Sequence, residues 1–234
     1  MEYPHRLIEG VFLRRYKRFL VDVEIEGTVQ TAHLANTGAM RACLAPRAPV
    51  RLSRSADPKR KLPLSVEQIA VEGHWIVVNT ARANAVVAEG IAAGSVPELL
   101  GYPRLRREQR LGDSRMDILL ERDDERAWVE VKNATFLRGE AVCFPDTRTT
   151  RGERHVRALS RIVGPRTRAV LFFHVGHAGG RWVEPAEDID PAYGRALREA
   201  VAAGVEILAY RVDASTDALI LGSRLPIRWP SPGT

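Results

Sequence analysis

Over the first 80 residues, apolar and polar positions alternate in short runs separated by turn-forming residues. A long basic run covers residues 11–25 and breaks at Gly27. A second run covers 29–34 and stops before the turn Asn36-Thr37-Gly38. Residues 50–54 alternate again, and the runs 64–71 and 74–78 flank Glu72-Gly73, which reads as a hairpin. Alternation with period two sends successive side chains to opposite faces, so each run predicts a half-buried strand. Five or so such strands with one basic face predict a small β-barrel of the oligonucleotide-binding kind.

From Thr80 the period lengthens and helices alternate with strands. Thr80 is placed to cap an Ala-rich helix that Gly94 ends. Strands are predicted near 105–111, 116–120 and 128–134. Thr150 and Glu153 stand in capping-box spacing at the start of a helix that stops at Gly164, and the apolar run 169–175 reads as a buried strand. Asp190-Pro191 is a cap followed by a first-position proline, opening a third helix to Gly204, with a strand over 205–212. This order predicts an α/β unit with a mixed sheet flanked by helices, making the chain α+β overall. The expected division is a barrel over residues 1–80 and a larger domain over 81–234.

At 234 residues and 45% hydrophobic content the chain can build a substantial core. It has no apolar stretch long enough for a bilayer helix, and its first residues lack the layout of a secretory signal, so a cytoplasmic protein without a membrane partner is expected. Cys43 and Cys143 lie far apart without ligand spacing, which suggests neither a disulfide framework nor a zinc site. The net charge is +6, and the first 80 residues hold 12 Lys+Arg against 8 Asp+Glu. That basic balance raises the expectation of a polyanionic partner, although arginine-rich usage dilutes the signal.

The chemistry concentrates on one ribbon. Asp117 lies thirteen positions before Glu130, with the polar segment 121–126 between them as a turn. Glu130 and Lys132, two apart, point the same way from a strand. Two carboxylates suit a hard divalent cation, Mg2+ or Mn2+, and the lysine ammonium suits an attacking water or the charge developing on a phosphorane. An exposed hairpin with a cross-strand ion pair explains the same pattern equally well. The neighbours Ile118, Leu119, Trp128, Val129 and Val131 favour a central hairpin, where unpaired acids are costly.

These residues, with Arg15-Tyr-Lys-Arg-Phe-Leu20, Asn36-Thr-Gly-Ala-Met40, Phe144-Pro-Asp146 and the segments 149–152 and 204–210, make the chain resemble the sugar fermentation stimulation protein A family. The matching blocks run in one order from about residue 11 to residue 212. The resemblance implies an N-terminal oligonucleotide-binding-like barrel and a restriction-endonuclease-like domain of the PD-(D/E)XK superfamily. That motif would fall on Asp117, Glu130 and Lys132, with a further metal-binding acid on the upstream helix at Glu89. Here Met116, not proline, precedes Asp117. The family is described as DNA-binding and tied to the regulation of sugar, notably maltose, metabolism. The expected function is therefore a DNA-binding protein with a metal-dependent nuclease site. The alternative is a non-catalytic DNA-binding regulator on the same platform. Either could act as a homodimer, and the sequence does not choose the oligomeric state.

For nucleic-acid contact the barrel offers Arg14, Arg15, Lys17 and Arg18 interleaved with Tyr16 and Phe19, and the loop Lys59-Arg60-Lys61. Phe19 is expected in the core. Arg151, Arg154, Arg157 and Arg161 recur at helical spacing and predict a basic stripe for phosphates. His155 on the same helix reads as a surface or cleft residue. His174 and His177, three apart at a strand end, are not read as ligands.

Overall fold

In the computed structural model, which describes residues 1–112 and 114–230, two hairpins close on turns whose central residues are both left-handed. These are Glu26-Gly27 (φ 48° and 75°) and Glu72-Gly73 (φ 49° and 78°). Glycine adopts that backbone without a Cβ penalty, and the twist of such a turn matches that of paired strands. The first hairpin joins β2 (Leu20–Ile25) to β3 (Thr28–His33), the second β5 (Leu64–Val71) to β6 (His74–Val77). β1 (Ile8–Tyr16) pairs antiparallel with β2 and with β4 (Pro49–Arg54), which pairs with β5. A parallel bridge from His33 to Ser65 joins β3 to β5 and closes a five-stranded barrel. Its interior is filled by Phe12, Val21, Val23, Leu52, Val66 and Ile69 among others.

The sequence run over 11–25 is not one strand. Lys17 and Arg18 adopt left-handed φ values of 48° and 63°, turning the chain between β1 and β2. Phe19 follows that turn and is 44% exposed, so it stands outside the core expected for it.

After the barrel, a 3₁₀ turn at Thr80–Arg82 leads into α1 (Ala83–Ala92). The 3₁₀ turn is capped by Asn79, whose side chain accepts the Ala81 N–H, and not by Thr80. The remaining elements are β7 (Arg104–Leu111), β8 (Ser114–Arg122), β9 (Glu125–Ala134), β10 (Phe136–Arg138), β11 (Ala141–Phe144), α2 (Thr150–Ser160), β12 (Thr167–Val175), β13 (Trp182–Pro185), α3 (Pro191–Ala202), β14 (Glu206–Ala214) and β15 (Leu219–Arg224). A six-stranded sheet runs β15-β14-β12-β9-β8-β7, with β9, β12 and β14 parallel and the outer pairings antiparallel. α1 covers one face over Ile118, Val129, Val131 and Phe172, while α2 and α3 cover the other over Leu119, Trp128, Leu171 and Phe173. α1 packs closely on β15, where a Cβ on Gly90 would lie 2.6 Å from Leu221. A small second sheet, β10-β11-β13, has no counterpart in the sequence expectation. No helix among the described residues is long and apolar enough to cross a membrane.

Two polar anchors tie these layers together. Glu67 on β5 is fully buried and accepts from both sides of the Arg82 guanidinium (2.6 and 3.1 Å), from Ser53 (2.6 Å) and from Asn79 (2.9 Å), joining the barrel to the entry of α1. Asp190 caps α3 as the sequence predicts, accepting the Tyr193 N–H at 3.1 Å, and its second oxygen accepts the Thr149 N–H at 2.8 Å at the head of α2. Asp190→Ala removes both acceptors and is expected to destabilise the fold by about 2 kcal/mol, read from denaturant unfolding.

His174 on β12 and His177 beyond it are both buried. Burial lowers the His174 pKa to about 4, while Nδ1 lies 2.7 Å from the Asn133 Oδ1. A folded-state pKa below the unfolded value of about 6.5 means that stability is full above the unfolded pKa and falls as pH drops toward 4. At pH 5 His174 is expected to cost about 2 kcal/mol relative to pH 7. His174→Gln keeps a donor for Asn133, and its unfolding free energy should depend less steeply on pH over that window.

Candidate active site

The backbone ladder between β8 and β9 runs from Arg122–Glu125 to Ile118–Val129. Beyond it the Asp117 carboxylate takes the place of a backbone partner, its Oδ2 accepting the Val131 N–H at 2.8 Å. Its Oδ1 accepts from the Asn84 amide of α1 at 2.6 Å, and the same amide donates to Glu108 Oε1 at 3.2 Å. Glu108 is itself left-handed, at φ 56° within β7. Non-glycine residues held there carry backbone strain that surrounding structure must impose, and such strain clusters at functional sites.

Glu130 and Lys132 project from β9 toward α2. Glu130 is buried, and its Oε1 accepts from Lys132 Nζ at 2.5 Å and is in close contact with His155 Nδ1. Its Oε2 is buried and has no hydrogen-bond partner among the described residues. A buried carboxylate oxygen without a partner is expensive, and a cation or its water at this atom would offset that cost.

The two acids respond differently to this setting. Burial first, and then the charge on Glu130, push the Asp117 pKa up to about 6 despite the hydrogen bonds from Val131 and Asn84. Burial is also the largest single influence on Glu130 and opposes its ionisation. The His155 and Lys132 contacts together outweigh it and hold that carboxyl below its ordinary range. One acid is thus fixed as an anion while its neighbour resists the second negative charge, an arrangement that a divalent cation relieves.

Of the residues singled out in the sequence, Asp117, Glu130 and Lys132 are brought together. Glu89 is not: its carboxylate is 57% exposed and pairs with the Met1 amino group at 2.7 Å. Asn84, five residues earlier on α1, is the helix residue that reaches Asp117. An Ala-rich helix gives too weak an apolar stripe to fix which turn faces the sheet, so Asn84 carried no signal. His155, read from sequence as a surface or cleft residue, is buried against Glu130. The capping-box reading puts Thr150 first, whereas Thr149 caps α2 through the Gly152 N–H.

The basic residues divide by their partners. Arg14 is spent on Asp22 at 2.8 Å, and Arg15 braces the chain by donating to the carbonyls of Arg18, Asn36 and Gly38 at 2.7, 2.8 and 3.1 Å. Arg157 lies between Glu153 (3.0 Å) and Glu199 (2.9 Å), and Arg60 donates to Ser65 at 2.8 Å. These four guanidinium groups have partners within the chain. Lys17, Arg18, Lys59, Lys61, Arg151 and Arg154 are exposed, and of these Arg151 donates from Nε to His155 Nε2 at 3.5 Å. Lys17 and Arg18 stand beside the exposed Phe19 ring, whose centroid is 6.4 Å from that of His33.

Comparison with known proteins agrees along nearly the whole chain. The family model described as the sugar fermentation stimulation protein RE domain matches residues 81–218, and that described as the SfsA N-terminal OB domain matches residues 13–78. A sugar fermentation stimulation protein homolog of Geobacter sulfurreducens is 48% identical over 229 residues, covering 97% of this chain and 98% of the relative. One of Teredinibacter turnerae is 47% identical over 232 residues, covering 97% and 99%. Among solved structures, that of Pyrococcus furiosus SfsA in complex with Ca2+ superposes with a TM-score of 0.88 at 28% identity, covering 97% of this chain and 98% of that one.

Proposed function

We propose that this chain, which belongs to the sugar fermentation stimulation protein family, is a nucleic-acid-binding protein with a divalent-metal-dependent phosphodiesterase site, acting on DNA. The observation that carries this reading is the buried Glu130 carboxylate, whose Oε2 has no partner among the described residues and whose charge acts on Asp117, with Lys132 donating to it from the same strand. Supporting it is the Ca2+ in the Pyrococcus furiosus relative, since Ca2+ and Mg2+ share oxygen ligands.

The donor set fits a hard cation. Asp117 and Glu130 are hard oxygen donors, each with lone pairs beyond those used by their present partners. They would hold Mg2+ or Mn2+, which when bound supplies Lewis-acid stabilisation and a water of lowered pKa. The remaining work falls to the protein. The Val131 N–H and the Asn84 amide fix the Asp117 carboxylate in the gap between β8 and β9, and His155 fixes Glu130 from α2. Such positioning removes reorganisation at the moment of reaction. Lys132, its side chain 13% exposed, directs an ammonium into a partly dehydrated site. There it donates toward the incoming water or the non-bridging oxygen that gains charge, as the water oxygen bonds to phosphorus and the P–O bond to the leaving oxygen breaks.

The strand reaches this site across the barrel. Lys17 and Arg18 supply charge and Phe19 a stacking face, while Arg151 and Arg154 extend the basic surface along α2. In this reading the family's tie to sugar metabolism runs through a nucleic-acid substrate. The direct test is incubation of the purified chain with single- and double-stranded DNA and RNA in Mg2+, in Mn2+ and in chelator. Cleavage confined to the metal-containing reactions is the expected result. No cleavage of any polymer, with salt-sensitive binding intact, would leave the non-catalytic regulator in its place.

A further inference from the structure

Where the barrel meets the larger sheet lies a cavity of about 350 Å³ that the chemistry described so far does not use. Its walls come from both halves of the chain: Asn36, Thr37, Gly38 and Thr80 on one side, and Asn133, Thr135, Phe136 and the segment 143–149 on the other. Three blocks singled out in the sequence, around Asn36, Phe144 and Thr149, converge on it although none supplies a residue to the Asp117–Glu130–Lys132 set. Asn133 follows Lys132 directly on β9, which puts the cavity about 10 Å along the strand from Glu130.

The wall from the barrel is held under constraint. Arg15 clamps the carbonyls of Asn36 and Gly38, Asp146 Oδ2 accepts the Met40 N–H at 2.7 Å, and Cys43 Sγ donates to the Thr135 carbonyl at 3.4 Å. Met40 and Ala42 are held at φ 54° and 58°. Neither is glycine, so the surroundings keep this loop in a strained, preformed shape. Gly38 allows the approach, since a Cβ there would meet Asn36 Oδ1 at 3.1 Å and Asp146 Oδ2 at 3.5 Å.

The lining suits a nucleotide. Phe136 and Phe144 give apolar ring surface, the threonine hydroxyls and Asp146 give donors and acceptors for a base edge, and Arg148, exposed and without an acidic partner among the described residues, gives a cation at the rim. The volume is within the range of sites that enclose small organic groups. We propose that this cavity holds one unpaired nucleotide of the bound strand, its base against the Phe136 and Phe144 wall and its phosphate on Arg148. The protein is then selective for single-stranded or frayed nucleic acid over blunt duplex, because a paired base cannot enter. This assignment rests on the nucleic-acid reading above but not on catalysis.

The test is equilibrium binding in chelator, where no metal-dependent cleavage interferes, to a short single strand, to the same strand lacking its bases, and to a blunt duplex. Thr37 and Thr147 are exposed on opposite walls, so Thr37→Trp and Thr147→Trp fill the cavity without entering the core. Each is expected to weaken binding of the base-bearing strand about tenfold and to leave the abasic strand and the duplex unchanged. Arg148→Ala is expected to weaken both single strands and spare the duplex. Wild-type affinity in both tryptophan variants, or equal loss on all three ligands, overturns the proposal. So does tight binding of a free deoxynucleoside monophosphate, which would give the cavity to a soluble nucleotide. If neither Mg2+ nor Mn2+ supports cleavage while the expected pattern holds, the nuclease reading fails and the cavity assignment stands.

Discussion

With Lys132 replaced by methionine, strand cleavage in Mg2+ or Mn2+ is expected to fall by a factor of about 10² to 10³, with little change in nucleic-acid affinity measured in chelator. Methionine keeps the length and the packing of the aliphatic stem and removes only the donor. Glu130 retains its contact with His155, so the carboxylate stays where β9 and α2 place it. What is lost is a charge that interacts with the reacting phosphate more strongly as negative charge develops, and such interactions lower the barrier without tightening ground-state binding. The check is single-turnover cleavage at saturating protein, beside a thermal melt that confirms the fold. A fold-preserving variant that cleaves at the wild-type rate would remove Lys132 from the chemistry and leave its bond to Glu130 as structure alone.

The ribbon that bears Asp117, Glu130 and Lys132 was legible because its signals are local. Alternation fixes which way Glu130 and Lys132 point, and a thirteen-residue spacing with a polar middle can only return the chain on itself. Asp190-Pro191 was legible for the same reason, since a cap and the proline after it are decided by adjacent residues. Several side-chain pairings that the sequence does not announce join residues far apart along the chain. Glu89 is held by the chain's own first residue, Arg157 by Glu199, and Arg15 by carbonyls twenty or so residues away. Pairing of that kind has no periodicity to announce it. Phe19 failed differently: two consecutive left-handed residues without glycine, Lys17 and Arg18, turned what read as a continuous strand and put the ring outside. The short strands β10, β11 and β13, of three or four residues each, are too brief for alternation to register.

Asp117→Asn is expected to abolish cleavage while making the metal-free protein more stable at neutral pH. Asn presents an oxygen to the Val131 N–H much as Asp does, so the splayed end of β8 and β9 keeps its anchor. It lacks the charge that holds a cation, and without it the loss of activity should equal or exceed that of the Lys132 variant. Stability moves the other way. The folded-state pKa of Asp117, about 6, lies above the ordinary aspartate value of 3.8, so the fold disfavours the ionised form. Its unfavourable contribution grows as pH rises from about 4 through 6, opposite in sign to that of His174. Removing the charge relieves up to about 3 kcal/mol above pH 7. Part of that gain is offset because the new amide faces the Asn84 amide, whose reorientation sacrifices the bond to Glu108. A net gain of about 1–2 kcal/mol in denaturant unfolding at pH 8, shrinking toward zero at pH 4, is the expected pattern. Added Mg2+ or Mn2+ should then stabilise the wild type and leave the variant unmoved, because only a folded state with both carboxylates gains from binding. A variant less stable than the wild type at pH 8 in chelator would mean that burial and the Glu130 charge together do not disfavour the Asp117 carboxylate, and with that the electrostatic case for a cation at this site would go.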